Sequence, residues 1–430
     1  MNEKLKKDAS RRQFLIKSGS AALAAGLAGQ MSNASSVFAQ SEQTSPVDTQ
    51  KPIELPPFQA DTERKTEIPM PYSPDERIGF AVVGLGRLSL ERLLPAFAKC
   101  EKAKLVALVS GSPGKARQVA AQYGIDEKNV YDYKTYDRLG DNKEVQVIYI
   151  VLPNGMHHEF TLRGASARKH ILCEKPMANS SKEAAEMIAA CRRAGRKLMI
   201  AYRIQYEPYN RYVRNLVKSG QFGKAKLIEA VNGQRHGDAS QWRSNKKLAG
   251  GGALPDIGLY CLNTSRFLLG EEPSEISALI YSTPNDPRFK EVEENVLFQM
   301  RFPSGALVNS STGYDFHDSK RYRVHLQTGW AEMSPAFSYE GLQLQISRAD
   351  GKMERTEQIK LGNKDQFAAE IDYMAECVMK NQEVYTPGEE GLQDHRLMEA
   401  IYDAAASGKT IKLSREIQAH KTPRGREPDE

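Results

Sequence analysis

The chain of 430 residues contains no run of about 18 or more apolar residues, the length a membrane-crossing helix needs. Nothing in the mature protein is therefore expected to enter a bilayer. No charge of one sign dominates: 60 Lys and Arg stand against 54 Asp and Glu, a formal charge of +6. The charges are interspersed, and no basic stripe with aromatics between them offers a nucleic-acid face. Cysteine is scarce. The five, Cys100, Cys173, Cys191, Cys261 and Cys377, are odd in number and irregular in spacing. No pair has metal-ligand spacing, so no metal site is expected. An oxidising compartment would permit disulfides, but the flanking patterns point to buried free thiols.

The first residues read as a targeting segment. Lys4, Lys6 and Lys7 precede Ser10-Arg11-Arg12-Gln13-Phe14-Leu15-Ile16, a twin-arginine pattern. A weakly apolar stretch and Val37-Phe38-Ala39 follow, a cleavage-like site. Residues 1–39 are thus expected to be an export signal for the twin-arginine machinery, with the mature protein in the periplasm. That route carries folded proteins and suits a protein that leaves the cytoplasm with its cofactor bound. Residues 40–76, rich in Gln, Thr, Pro, Glu and Asp, read as a linker or arm.

Order begins near Ile78. Short apolar runs (Gly79–Val83, Leu105–Val109, Val145–Val151, His170–Glu174, Lys197–Ala201) alternate with helical patterns (Leu90–Cys100, Lys115–Tyr123, His158–Ala167, Ser181–Ala194). That alternation predicts a doubly wound parallel sheet, an α/β dinucleotide-binding domain over residues 77–203. Beyond it, Ala225–Val231, Ile276–Tyr281, Asn295–Phe302, Ala306–Thr312 and Tyr322–Thr328 follow one another as strands. They predict an α+β domain over 204–413 with a large, mainly antiparallel, open sheet. Helices are expected from Gln366 to Asn381 and from Leu392 to Ser407. The tail, 414–430, is polar and expected to be loose.

Gly84-Leu85-Gly86-Arg87-Leu88-Ser89 lies between the first strand and its helix. The first glycine permits a tight turn, and the second lets backbone approach a pyrophosphate at the helix N-terminus. Ser89 stands where Gly or Ala is usual. An acidic residue ending the second strand would repel a ribose 2′-phosphate. None is there: Ser110-Gly111-Ser112 and Lys115 are. Hydroxyls and an ammonium suit a phosphate, which favours NADP over NAD.

Cys173-Glu174-Lys175-Pro176-Met177, Gly250-Gly251-Gly252-Ala253-Leu254-Pro255-Asp256-Ile257-Gly258-Leu259-Tyr260, Leu152-Pro153-Asn154-Gly155-Met156-His157 and Pro387-Gly388-Glu389-Glu390-Gly391 together resemble the motifs of the glucose–fructose oxidoreductase, inositol dehydrogenase and rhizopine-catabolism (Gfo/Idh/MocA) family. The resemblance covers roughly residues 69–413. Within the family the likeness is to the periplasmic glucose–fructose oxidoreductase branch, on the export signal, Val109-Ser110-Gly111 with Lys115, Ala201-Tyr202-Arg203, and Tyr260 where most relatives carry His. It implies a non-dissociating NADP, ping-pong oxidation of an aldose at C1 to a lactone, reduction of a second sugar to an alditol, and a homo-oligomer, dimer or tetramer. Tyr202, Gly233–Arg243 and Phe337–Lys360 depart from the pattern and leave the sugars open, including an aldose acceptor in place of fructose.

The resemblance assigns Lys175, Tyr260 and Asp256 to catalysis. Tyr260 is the acid/base, Lys175 the cation that brings a phenol toward neutrality, and Asp256 orients a sugar hydroxyl or Lys175. Cofactor contacts are expected from Gly84, Gly86, Arg87, Leu88, Ser110, Gly111, Lys115, Tyr133, Leu152, Asn154, His157, Glu174, Lys175, Arg203, Trp242 and Arg243. Tyr202 joins Lys175, Asp256 and Tyr260 toward the sugar. Two other readings stay open: a sugar dehydrogenase with exchangeable NADP, and a non-catalytic sugar or dinucleotide sensor.

Overall fold

A computed structural model describes residues 72–362 and 364–428. The export signal and most of the arm lie outside the described residues. The first sheet begins with β1 (Ile78–Val83), which leads into a π-helical turn (Ser89–Leu93) and α1 (Leu94–Phe97). It continues through β2 (Ala103–Val109), α2 (Pro113–Tyr123), β3 (Val130–Tyr131), β4 (Val147–Ile150) and α3 (Asn154–Ser166). It closes with β5 (His170–Glu174), α4 (Ser181–Ala194) and β6 (Leu198–Ala201). The six strands are parallel, in the order β3-β2-β1-β4-β5-β6. Val82, Val83, Ile148 and Leu172 are fully buried. That explains why these strands read as continuous apolar runs rather than alternating ones.

After α5 (Pro208–Ser219) the second sheet forms. It takes β7 (Ala225–Gln234), then α6 (Lys246–Ala249), α7 (Leu259–Leu269), β8 (Glu275–Tyr281), β9 (Asn295–Arg301) and β10 (Leu307–Tyr314). β11 (Ser319–Leu326), β12 (Gly329–Met333), β13 (Leu344–Asp350) and β14 (Met353–Ile359) follow. α8 (Gln366–Met379), α9 (Gly388–Ser407), β15 (Ile411–Lys412) and α10 (Arg415–Gln418) end the chain. Nine strands pair in the order β14-β13-β12-β11-β7-β10-β9-β8-β15. All neighbours are antiparallel except β10 and β7. In β9, buried Val296, Phe298 and Met300 alternate with exposed Leu297, Gln299 and Arg301, so one face of the sheet is covered and the other open.

The tail differs from expectation. Arg424 pairs with Glu390 at 3.0 Å and donates to Gln205 Oε1 at 2.9 Å. The Thr422 hydroxyl donates to Glu390 at 2.6 Å. Glu390 is fully buried, and a buried carboxylate demands partners; the polar tail supplies two of them. All five cysteines are buried and free. Among the described residues, no helix is long and apolar enough to cross a membrane, and no cluster of three or more His, Cys, Asp or Glu could hold a metal ion.

Candidate active site

Gly84 has φ of 99°, and a Cβ there would lie 2.2 Å from the Val151 carbonyl oxygen. Only glycine fits. A Cβ on Gly86 would meet nothing within 4 Å, so that backbone faces open space a pyrophosphate could fill. Ser89 is fully buried, and its hydroxyl donates to the Gly84 carbonyl at 2.5 Å; the serine fastens the turn as well as permitting close packing. β1 lies between β2 and β4, and the crevice beyond its carboxyl end is where doubly wound sheets bind ligands.

A cleft of about 790 Å³ opens there. Ser110, Gly111, Lys115 and Tyr133 line one end, where no Asp or Glu is present. The Tyr133 ring packs so closely on Gly111 that a Cβ would come within 2.7 Å of it. Lys115 Nζ donates to the Leu85 carbonyl at 3.3 Å, which draws the ammonium toward the glycine loop. Arg87, Leu88, Leu152 and Asn154 line the middle. These residues fit a dinucleotide carrying a 2′-phosphate: an open glycine for the pyrophosphate, hydroxyls and an ammonium, and no competing carboxylate.

Glu174, Lys175, Arg203, Arg243, Asp256 and Tyr260 line the other end, with Trp242 beside Arg243. Lys175 follows β5 directly, and its Nζ donates to the Asp256 carbonyl at 2.7 Å and lies 3.8 Å from Oδ1. Asp256 Oδ2 accepts from Arg243 Nε at 2.9 Å and the Tyr314 hydroxyl at 2.8 Å. Burial pushes the Asp256 carboxyl up, but Arg243 and Lys175 together bring it down to about 2. Asp256 is thus a fixed anion between two cations.

Glycine-rich chain makes this placement possible. A Cβ on Gly252 would sit 1.8 Å from the Glu293 carbonyl oxygen, and the Glu293 carboxylate accepts from the backbone of Gly252 and Leu254 at 2.8 and 3.0 Å. The following turn, Leu254–Gly258, is π-helical and runs into α7. It carries Asp256 and Tyr260 to the cleft.

Tyr260 is paired differently from expectation. Its hydroxyl accepts from Arg203 Nε at 3.2 Å, whereas Lys175 Nζ lies over the ring, 4.7 Å from its centroid. The Arg203 guanidinium also stacks on Tyr260 and Tyr339, at 4.9 and 4.7 Å, and donates to the Phe337 carbonyl at 2.7 Å. Burial raises the phenol above its ordinary value, and Arg203 offsets part of that rise. Arg203 is therefore the cation in direct contact with the phenolic oxygen, the role expected of Lys175.

Two expected contacts are not brought to the cleft. His157 is fully buried, with its ring nitrogens on the carbonyl oxygens of Pro176 and Leu152 at 2.9 and 2.8 Å; it ties the segment after Lys175 to the one after β4. The Tyr202 hydroxyl donates to Asp394 at 2.7 Å in the interior. Tyr202 follows β6 directly, and its side chain turns into the interior rather than into the cleft. Sequence reasoning missed Tyr314, Asn232, Lys320 and Tyr339. All but Tyr314 line the cleft, and they come from β7, β10, β11 and the loop after β12. No local motif marks them; the second sheet's topology gathers them.

Residues 78–202 match the oxidoreductase family with an NAD-binding Rossmann fold, and residues 210–332 match the GFO/IDH/MocA C-terminal domain. The chain is 31% identical over 353 residues to D-xylose 1-dehydrogenase [NADP(+)] of Haloarcula marismortui, covering 79% of this chain and 94% of that protein. The chain belongs to the Gfo/Idh/MocA oxidoreductase family. Among solved structures, the aldose–aldose oxidoreductase of Caulobacter crescentus, crystallised with glycerol, superposes with a TM-score of 0.76. It is 43% identical and covers 78% of this chain and all of that one. D-xylose 1-dehydrogenase (NADP(+)) 2 of Haloferax volcanii is 26% identical over 335 residues, 78% of this chain. The first matched segment contains Glu174 and Lys175, and the second contains Asp256 and Tyr260, so both contribute to the cleft.

Proposed function

We propose that this Gfo/Idh/MocA member is an exported sugar oxidoreductase with captive NADP(H). It oxidises an aldose at C1 to the lactone and passes the reducing equivalents to a second sugar, which leaves as an alditol. The observation that carries the reading is the cleft itself: a phosphate-accepting end without a carboxylate, continuous with a buried end where Tyr260, Arg203, Lys175 and Asp256 meet. Likeness to the Caulobacter aldose–aldose oxidoreductase supports a sugar as both donor and acceptor.

The bound dinucleotide supplies the two-electron acceptor and donor. The chain supplies the rest. Asp256 and Arg243, locked at 2.9 Å, present fixed polar groups to sugar hydroxyls. Tyr260, whose ionisation Arg203 favours, takes the C1 hydroxyl proton as the C–H bond is broken. The same phenol returns a proton to the acceptor's carbonyl oxygen in the second half-reaction. Lys175 holds the reacting oxygen close to the phenol. The signal, residues 1–39, takes the loaded protein to the periplasm by the twin-arginine route, and homo-oligomers form there. Pairs of candidate sugars mixed with purified protein, with no added cofactor, should yield lactone and alditol in equal amounts; neither product with any pair would refute the reading.

A second reading is favoured by the two archaeal relatives, both named as NADP(+)-dependent xylose 1-dehydrogenases. In it the same cleft exchanges its cofactor each turnover. Turnover that needs added NADP and one sugar alone would support it.

A further inference from the structure

Behind the reactive end of the cleft lie two glutamates that share one phenol. The Tyr149 hydroxyl is 2.8 Å from Glu174 Oε1 and 3.2 Å from Glu370 Oε1. Tyr149 and Glu370 have no solvent exposure and Glu174 has 8%. Tyr149 comes from β4, Glu174 from β5 and Glu370 from α8, so three elements converge on one hydroxyl. A phenol carries one proton and can donate to one acceptor at a time. With two ionised carboxylates, one of these contacts would be oxygen against oxygen with no hydrogen between, in a site that water does not reach. A second proton on the cluster resolves this. Glu174 lines the cleft beside Lys175; burial raises its carboxyl, and that ammonium works against the rise. Glu370 lies deeper: its Oε2 has no hydrogen-bond partner, and the charged groups facing it are Glu174 and Arg203, with the neutral phenols of Tyr149 and Tyr206 alongside; Arg203 favours its ionised form, but burial and Glu174 outweigh it. The proton therefore belongs on Glu370.

We infer that Glu370 is a neutral carboxylic acid at working pH, which donates to the Tyr149 oxygen while Tyr149 donates to Glu174. It leaves one negative charge, not two, behind the Lys175–Arg203–Tyr260 cluster. Burial and the nearby Glu174 both favour the protonated form. The consequence concerns Tyr260. Glu174 already works against ionisation of that phenol, and Arg203 works for it. A second buried anion there would work in the same direction as Glu174, against ionisation of the phenol. Glu370 is thus a positioning residue that acts through Tyr149 and Glu174: it fixes Glu174's orientation without adding charge. This last step rests on Tyr260 being the acid/base of the proposed reaction; the protonation of Glu370 does not.

Infrared spectroscopy of the purified protein in heavy water at neutral pH reads the proton directly. We expect a carboxylic-acid C=O band that Glu370→Gln removes and Tyr149→Phe shifts, since the acid then loses its acceptor. Glu370→Gln keeps a neutral donor, so the pH limb of sugar oxidation stays where the parent has it. Because burial also raises the Asp394 carboxyl to about 7, the band is read as a parent-minus-variant difference; no carboxylic-acid C=O loss for Glu370→Gln, or no shift for Tyr149→Phe, would overturn the assignment. A limb that moves toward acid in Glu370→Gln would show that a charge had been removed and would overturn it equally. If Glu370→Gln does not fold, the Tyr149→Phe shift alone decides. A band that behaves as expected in a protein with no sugar turnover would leave the protonation assignment standing and sink the proposed reaction.

Discussion

Replacing Arg203 with Met should make Tyr260 harder to ionise. Arg203 Nε donates to the phenolic oxygen at 3.2 Å, and both groups are buried. A hydrogen bond to a charged group contributes roughly 1.5–3 kcal/mol, and one pKa unit corresponds to about 1.4 kcal/mol. The loss should move the Tyr260 titration alkaline by roughly one to two units, because the cation favours phenolate over phenol. Below that pH the oxidative half-reaction should slow by about ten- to a hundredfold, and at sufficiently high pH it should recover. Single-turnover reduction of the bound cofactor by an aldose, followed by its absorbance across pH, measures this, with a thermal melt to confirm folding. Arg203→Lys keeps a charge without the guanidinium fork and should give a smaller shift. A folded Arg203→Met protein whose pH limb coincides with the parent's would refute the pairing.

Three further outcomes follow from particular contacts. Lys115→Ala should weaken NADP binding by about ten- to a hundredfold, the worth of one charge-assisted hydrogen bond, and leave NAD binding unchanged; equilibrium titration of cofactor-stripped protein checks both. His395 accepts from the Ala178 amide through Nε2 at 3.0 Å, and burial holds its imidazole down to about 4. Its folded value lies below the unfolded one, so this stability is complete above the unfolded value and is lost as pH falls toward the folded one. A loss of roughly 3 kcal/mol is expected over that interval, and denaturant unfolding of His395→Gln should show a smaller pH dependence. Truncation before His420 removes Thr422 and Arg424 from buried Glu390 and should cost about 2–5 kcal/mol, read as a lower unfolding midpoint; a midpoint at the parent's value would mean the tail is as loose as its composition suggests.

Much of the first sheet was legible because its signals are local. β5 and α4 fall where the pattern put them, His170–Glu174 and Ser181–Ala194. Ser180 caps that helix by accepting from the Glu183 amide, and Gly195 ends it in the left-handed region. β3 escaped notice because two residues carry no period. β14 escaped because Met353–Ile359 is an edge strand with no buried residue, so it lacks the alternation that marks a half-buried strand. α7 is buried almost all round and shows no amphipathic stripe, so no helical period marked it. In the site, motifs revealed Lys175, Asp256 and Tyr260, since each sits in a short signature. Nothing in the chain near Arg203 revealed that its guanidinium would reach Tyr260, 57 residues away. The same holds for Glu370, whose neighbours come from β4 and β5. Long-range pairings of this kind are written in topology rather than in spacing.

The central claim is that the cleft holds its dinucleotide between turnovers. Fresh protein passed repeatedly through gel filtration, then denatured and assayed for released nicotinamide dinucleotide, tests it most directly. The account predicts NADP(H) in stoichiometric amount after every passage. Protein that emerges without nucleotide and regains sugar oxidation only when NADP is added back would contradict it.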